Sequence, residues 1–92
     1  MQKYLSFVKT VEYGSFTKAA EILNYTQSGI SRMIADLEKE WGVTLFERTK
    51  YGVKPTSDGM KLLPYAQNLC ADFDKLKMQV DELNGYNRGL SA

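Results

Sequence analysis

The chain has 92 residues, 43% of them hydrophobic and 25% charged, with a net charge of +1, which describes one small globular domain and not a disordered segment. A single cysteine, Cys70, and no histidine exclude an internal disulfide, a zinc site with several Cys or His ligands, and the common histidine-based acid–base and nucleophile arrangements. No apolar run is long enough for a signal-peptide core or a membrane span, so a cytoplasmic location without membrane contact is expected, and no cofactor is expected either.

Leu5, Val8 and Val11, with Tyr4 and Phe7 beside them, predict a first helix over residues 2–13 with a broad apolar face. Gly14 supplies its stop, because glycine takes the left-handed conformation without a Cβ penalty. Ser15 or Thr17 then caps a second helix containing Ala19, Ala20, Ile22 and Leu23. Its small side chains let a crossing helix approach, as a helix-turn-helix corner needs, although two alanines also suit an ordinary helix.

Asn24-Tyr25-Thr26 interrupts the helical pattern, and Thr26 is a good N-cap for a third helix over Gln27–Trp41. Rotation by 100° per residue from Ile30 places Ile34, Leu37 and Trp41 within about 40° of it and Met33 within about 60°. That is a core face. Ser28, Arg32, Ala35 and Lys39 lie opposite, with Ser31 on the flank and Gln27 in the first turn, where backbone N–H groups are free for a phosphate. Glutamine matches adenine, arginine matches guanine, and serine is an adaptable donor or acceptor. The acids Asp36, Glu38 and Glu40 are confined to the second half of the helix. Residues 17–36 thus have the form of a helix-turn-helix whose second helix, 27–40, is presented to a major groove.

Gly42 ends this helix. Residues 43–47 alternate toward a strand, Tyr51-Gly52 is a turn, and Val53-Lys54-Pro55 returns as a second strand with Pro55 at an edge or an end. The hairpin, about 44–55, is tipped with Arg48, Lys50, Tyr51 and Lys54 and reads as a wing against backbone or minor groove; its plainer reading is a solvated basic turn. Residues 24–35 hold Arg32 and no acid, and residues 48–57 hold Arg48, Lys50 and Lys54 and no acid, so positive charge gathers beside the reading helix.

Thr56 caps a long last helix, about 57–84. Its residues Leu62, Ala66, Leu69, Phe73, Leu76, Val80 and Leu83 are spaced 4, 3, 4, 3, 4, 3, a coiled-coil seam. Such a helix reaches about 42 Å. The body before it would be roughly 26 Å across. The helix therefore overhangs its domain, and the overhanging seam needs another chain. Pro64 is expected to kink it near Met60, and Asn84-Gly85 is expected to end it.

Over residues 15–59, SFTKAAEILNYTQSGISRMIADLEKEWGVTLFERTKYGVKPTSDG, the chain resembles the LysR-type transcriptional regulators. The similar features are Ala19-Ala20, Leu23, Thr26-Gln27, Ile30-Ser31, Leu37-Glu38, Gly42, Leu45-Phe46, Arg48, Thr56 and Gly59, all in the family's spacing. The resemblance implies a mainly α fold, a winged helix-turn-helix over 1–56 with three helices and a two-stranded wing. A dimerisation helix over 57–84 and a hinge over 85–92 would follow. It implies sequence-specific binding of double-stranded DNA, at an interrupted inverted repeat, by a homodimer joined through the C-terminal helix. Gln27, Ser28, Ser31 and Arg32 fall where bases are approached. Thr17, Lys18, Thr26, Arg48, Lys50, Tyr51 and Lys54 fall where backbone or wing contacts are made. Ser28-Gly29 stands where the family usually has a proline after the glutamine, and Tyr51 where the wing often has arginine. Family members carry a C-terminal effector-binding domain, so the chain reads as a DNA-binding fragment and a small-molecule effector is expected only for that other domain.

The main rival is a dimeric protein-interaction module that does not read DNA. A solvated scaffold helix would gain more from paired charges than from Ser28, Ser31, Arg32 and Ala35 on its outward face. Shape-based binding of double-stranded RNA would want a broader basic surface. Ser6-Phe7-Val8-Lys9 and Ser15-Phe16-Thr17-Lys18 match a Ser-x-x-Lys spacing but sit on helix starts or faces without a pocket, so no enzyme is expected. Trp41 is assigned to the core, and Cys70, beside the seam, is a buried or half-buried free thiol.

Overall fold

In the order of the chain the elements are α1 (Gln2–Tyr13), α2 (Phe16–Leu23), α3 (Gln27–Trp41), β1 (Phe46–Thr49), β2 (Gly52–Pro55) and α4 (Ser57–Ser91). The computed structural model describes the backbone of residues 1–91 and the side chains of residues 1–85.

Each short helix stops and starts on a local hydrogen bond. Gly14 takes φ 64° and gives its N–H to the Thr10 carbonyl at 2.8 Å, closing α1. Ser15, and not Thr17, caps α2, its hydroxyl accepting from the Lys18 N–H at 3.2 Å. Asn24 closes α2 at φ 63°, which makes the corner into α3. Thr26 then caps α3 by accepting from the Gly29 N–H at 3.0 Å.

The three helices enclose one core. Ile30, Ile34 and Leu37 of α3 and Ala19 and Ala20 of α2 are buried in it, with Met33 and Trp41 packed against its edge. Trp41 stacks on Tyr4 at 5.9 Å and meets Phe7 edge-on at 6.2 Å. Phe46 joins the wing to this core, edge-on to Phe7 at 5.7 Å and to Phe16 at 5.9 Å. The buried line of α1 is Ser6, Phe7 and Thr10, whereas Leu5, Val8 and Val11 are only partly covered. Apolarity found Phe7, but Leu5, Val8 and Val11 lie on the flank, because the small hydroxyl residues Ser6 and Thr10 share the innermost positions with it. The Ser6 hydroxyl donates to the Met33 sulfur at 3.6 Å, and the Thr10 hydroxyl oxygen is buried without a partner.

The wing starts later than the alternation suggested. Residues 43–45 are irregular because their polar groups are engaged elsewhere. The Glu38 carboxylate accepts from the Leu45 N–H at 2.7 Å and the Phe46 N–H at 3.4 Å, and the Leu45 carbonyl accepts from the Thr56 N–H at 2.9 Å. β1 and β2 then pair antiparallel, Phe46 with Pro55, Glu47 with Lys54, Arg48 with Val53 and Thr49 with Gly52. Pro55 stands at the end of β2, where its missing donor is harmless.

Thr56 opens α4, accepting from the Gly59 N–H at 3.0 Å and donating to the Thr44 carbonyl. The helix is one element of 35 residues, which at 1.5 Å per residue is about 52 Å long. The molecule's longest dimension is 54 Å, so α4 alone sets it. Two expectations change here. The helix runs through Gly85 to Ser91 instead of ending at Asn84-Gly85, so the stretch expected as a hinge is helical over 85–91; Ala92 lies outside the described residues. A terminating glycine works by turning left-handed, and Gly85 is not among the positive-φ glycines; a helical glycine costs only about 1 kcal/mol. Asn84 turns its amide back to the Val80 carbonyl at 3.0 Å. Pro64 lies inside the helix and gives the Met60 carbonyl no donor, but Met60 is exposed and water can take that place.

Candidate nucleic-acid interface

The outward face of α3 follows from its inward one. With Ile30, Ile34 and Leu37 fixed in the core, Ser28, Arg32, Ala35 and Lys39 are exposed on the other side, and Gln27 is exposed at the helix start. Ser31 is half-buried, so only its rim is available to a ligand. The N-terminal half of this face has no acid. Of the acids in the second half, Glu40 approaches Lys3 at 4.0 Å and Glu38 is turned into the body to hold the wing. Thr17, Lys18 and Thr26 are exposed around the N-terminal ends of α2 and α3.

The wing is held against these helices at its base. Val53 gives its N–H to the Gly14 carbonyl at 3.1 Å, and a Cβ on Gly52 would lie 2.4 Å from that same oxygen. Gly52 also has φ 143°, so both space and conformation require glycine. At the tip, the Thr49 hydroxyl donates to the Gly52 carbonyl at 3.1 Å and accepts from the Tyr51 N–H at 3.2 Å. Lys50 and Tyr51 form that tip, and Tyr51 is 91% exposed.

Arg48 and Lys54 belong to the strands and not to the tip, and they lie on opposite faces of the hairpin. Lys54 is across from Glu47, 3.9 Å away, so its charge is shared with a neighbour in water. Arg48 shares the inner face with Phe46 and Val53. Its guanidinium lies over the Phe16 ring, 5.6 Å from the centroid. It borders two shallow hollows of about 200 Å³ each, one shared with Ser31, Ala35 and Glu38 and the other with Thr17 and Gln27. Arg48 therefore lies in the cleft between the wing and the starts of α2 and α3. The period-2 rule applied from Phe46 to Arg48 would have placed it on this face. Glu38, noted in the sequence only as a shared family feature and a helix acid, and Phe16 were not assigned these roles, since a helical glutamate and a helical phenylalanine carry no local sign of them.

The seam of α4 divides. Ala66 is 2% exposed and belongs to the core of its own chain, and Leu62 and Leu63 pack against that core. The first turns of α4 lie along α1 and β2, so Ala66 is covered within its own chain and Leu62 is partly so, where the unbroken heptad suggested two open positions. Leu69, Phe73, Leu76, Val80 and Leu83 stay 45–70% exposed. Phe73 and Cys70, with Leu5, Leu23 and Tyr25, line an open apolar groove of about 610 Å³ between α4 and the body. Burial, then the nearby Asp74 carboxylate, pushes the Cys70 thiol above its ordinary pKa. Among the described residues no group of side chains is arranged to hold a metal ion, and no helix is long and apolar enough to cross a membrane. The chemistry on offer is recognition: hydrogen-bond donors and cations on one convex face, with apolar surface on the arm.

Residues 1–60 match the family described as bacterial regulatory helix-turn-helix protein, lysR family. The chain is 40% identical over 85 residues to a protein of Escherichia coli (strain K12) named as the uncharacterized HTH-type transcriptional regulator YbhD, a match covering 92% of this chain and 27% of that protein. It is 37% identical over 83 residues to the nitrogen assimilation regulatory protein nac of Klebsiella aerogenes, covering 90% and 27%. A chain in the crystal structure of a BenM_DBD/benA site 1 DNA complex superposes with a TM-score of 0.79 at 36% identity, covering 90% of this chain and 93% of that one. The chain spans about a quarter of the length of these curated relatives, which are named as regulators and not as enzymes.

Proposed function

The chain belongs to the lysR family of bacterial regulatory helix-turn-helix proteins and is a DNA-binding domain of that type, and from that premise we propose that it reads duplex DNA sequence-specifically as a homodimer. The observation that carries this reading is the N-terminal half of α3, where Gln27, Ser28 and Arg32 are exposed together with no acid among them. Gln27, Ser28, Ser31 and Arg32 are assigned to base edges in the major groove. Thr17, Lys18, Thr26, Arg48, Lys50, Tyr51 and Lys54 are assigned to the sugar–phosphate backbone on either side and to the minor groove at the wing tip.

The dimer is assigned to Leu69, Phe73, Leu76, Val80 and Leu83, whose exposure on a projecting helix is the liability a second copy relieves. The functional division then falls after Ala66, inside α4, and not at residue 57. Two copies present two reading helices, which suits an interrupted inverted repeat. A net charge of only +1 makes the affinity of one copy modest, because few phosphates are neutralised. A cytoplasmic location accords with this function, and a small-molecule effector belongs, on this reading, to a domain outside these residues.

Selection of bound sites from a random duplex pool, read for two half-sites and their spacing, tests the whole assignment. Within a selected site, Arg32→Ala is expected to cost about 1–3 kcal/mol and to relax discrimination at one base pair. An equal loss on selected and random duplex would assign Arg32 to the backbone instead. Failure to enrich any sequence would favour the protein-interaction module.

A further inference from the structure

Three features meet at Phe16, the first residue of α2. Its ring is buried edge-on against Phe46, at 5.9 Å, where the wing joins the core. The guanidinium of Arg48 lies over that ring at 5.6 Å. Both side chains, with Ser15, Thr17, Gln27 and Thr49, border one hollow between the starts of α2 and α3 and the inner face of the wing. Among the described residues no carboxylate forms an ion pair with Arg48. Among the described residues the contact with the electron-rich ring face is thus the attraction its cation makes, and such a contact favours the rotamer that makes it. A long exposed arginine loses rotamer freedom when it seizes a phosphate, and a side chain already held in place loses less.

We infer that Phe16 is a positioning residue for duplex binding, an aromatic platform that holds the Arg48 guanidinium ready in the cleft between wing and reading helix. The inference rests on the assignment of Arg48 as a backbone contact. Phe16 thereby acts on DNA through Arg48, without touching the duplex itself. The ring also fills the core, so its two roles have to be separated by the test.

Phe16→Leu keeps an apolar side chain without a π face, and Phe16→Tyr keeps the face. Binding is measured with the full chain, well below its melting temperature, on a duplex recovered by selection and on a random duplex of equal length. Phe16→Leu is expected to weaken both by about two- to five-fold. Phe16→Tyr is expected to bind as the unsubstituted chain does. In an Arg48→Ala background, Phe16→Leu is expected to have no further effect. One measurement needs no variant: the side-chain methylene protons of Arg48 next to the guanidinium are expected to show an upfield ring-current shift in the free protein's proton NMR spectrum. Random-coil shifts for those protons would overturn the platform, as would an equal loss from Phe16→Leu with and without Arg48. If Arg48→Ala leaves affinity unchanged, the backbone contact assigned to Arg48 falls and the positioning role falls with it. If Arg48→Ala weakens binding and Phe16→Leu does not, the contact stands and the positioning role alone falls.

Discussion

The two halves of α4 carry one repeating pattern and meet opposite fates. Leu62, Leu63 and Ala66 turn into a core already built by α1, α2, α3 and the wing. From Leu69 to Leu83 the same spacing stays 45–70% exposed, with Phe73 at the edge of the groove against the body. A heptad therefore says only that a stripe wants cover. Which surface supplies the cover is decided by how far the rest of the chain reaches, and here full burial stops at Ala66 while Cys70 and Phe73 only border a groove against the body. The body buries its own apolar residues; the arm leaves its stripe exposed.

Substitutions at the two ends of the stripe should separate along that line. Ala66→Asp would bury a carboxylate in a 2%-exposed position with no partner and no room, and should cost about 3 kcal/mol or more, read as a collapse of the urea midpoint. Phe73→Asp, at 45% exposure, should leave the fold in place by circular dichroism and give monomers by sedimentation; a persisting dimer would mean that the arm is covered some other way. Glu38→Ala should show the reverse signature, with the dimer unaffected. Loss of the acceptor for the Leu45 and Phe46 N–H groups should cost about 1–3 kcal/mol of stability and loosen the wing, which exchange of the Phe46 amide would report. Smallest of all is the contrast inside the wing. Lys50→Ala should lower the salt dependence of duplex binding more than Lys54→Ala, because Lys54 already lies near Glu47 and Lys50 has no ion pair among the described residues.

What the sequence made legible is what one helix decides for itself. Ile30, Ile34 and Leu37 had to face inward together, which turned Ser28, Arg32 and Ala35 outward, and the stops at Gly14 and Gly42 needed only their own backbone. What stayed hidden depends on a second element. Ser6 and Thr10 are innermost on α1 because three helices and not one pack around it. Arg48 turns inward because Val53 opposite it is buried, and Glu38 faces the loop before β1 because that loop has N–H groups to satisfy. Gly85 shows the limit of that local reading, since it sits in open space as Gly42 does and yet the helix runs through it.

The contact between Gly52 and the Gly14 carbonyl has a consequence for how such a hairpin can diversify. Any side chain at Gly52 would push the wing off the loop between α1 and α2, so variation at the base is barred by backbone alone. A couple of residues away, at Lys50 and Tyr51, nothing in the body restricts either size or charge. The tip can therefore change in size and charge, while the backbone contact at its base holds the place from which it is offered.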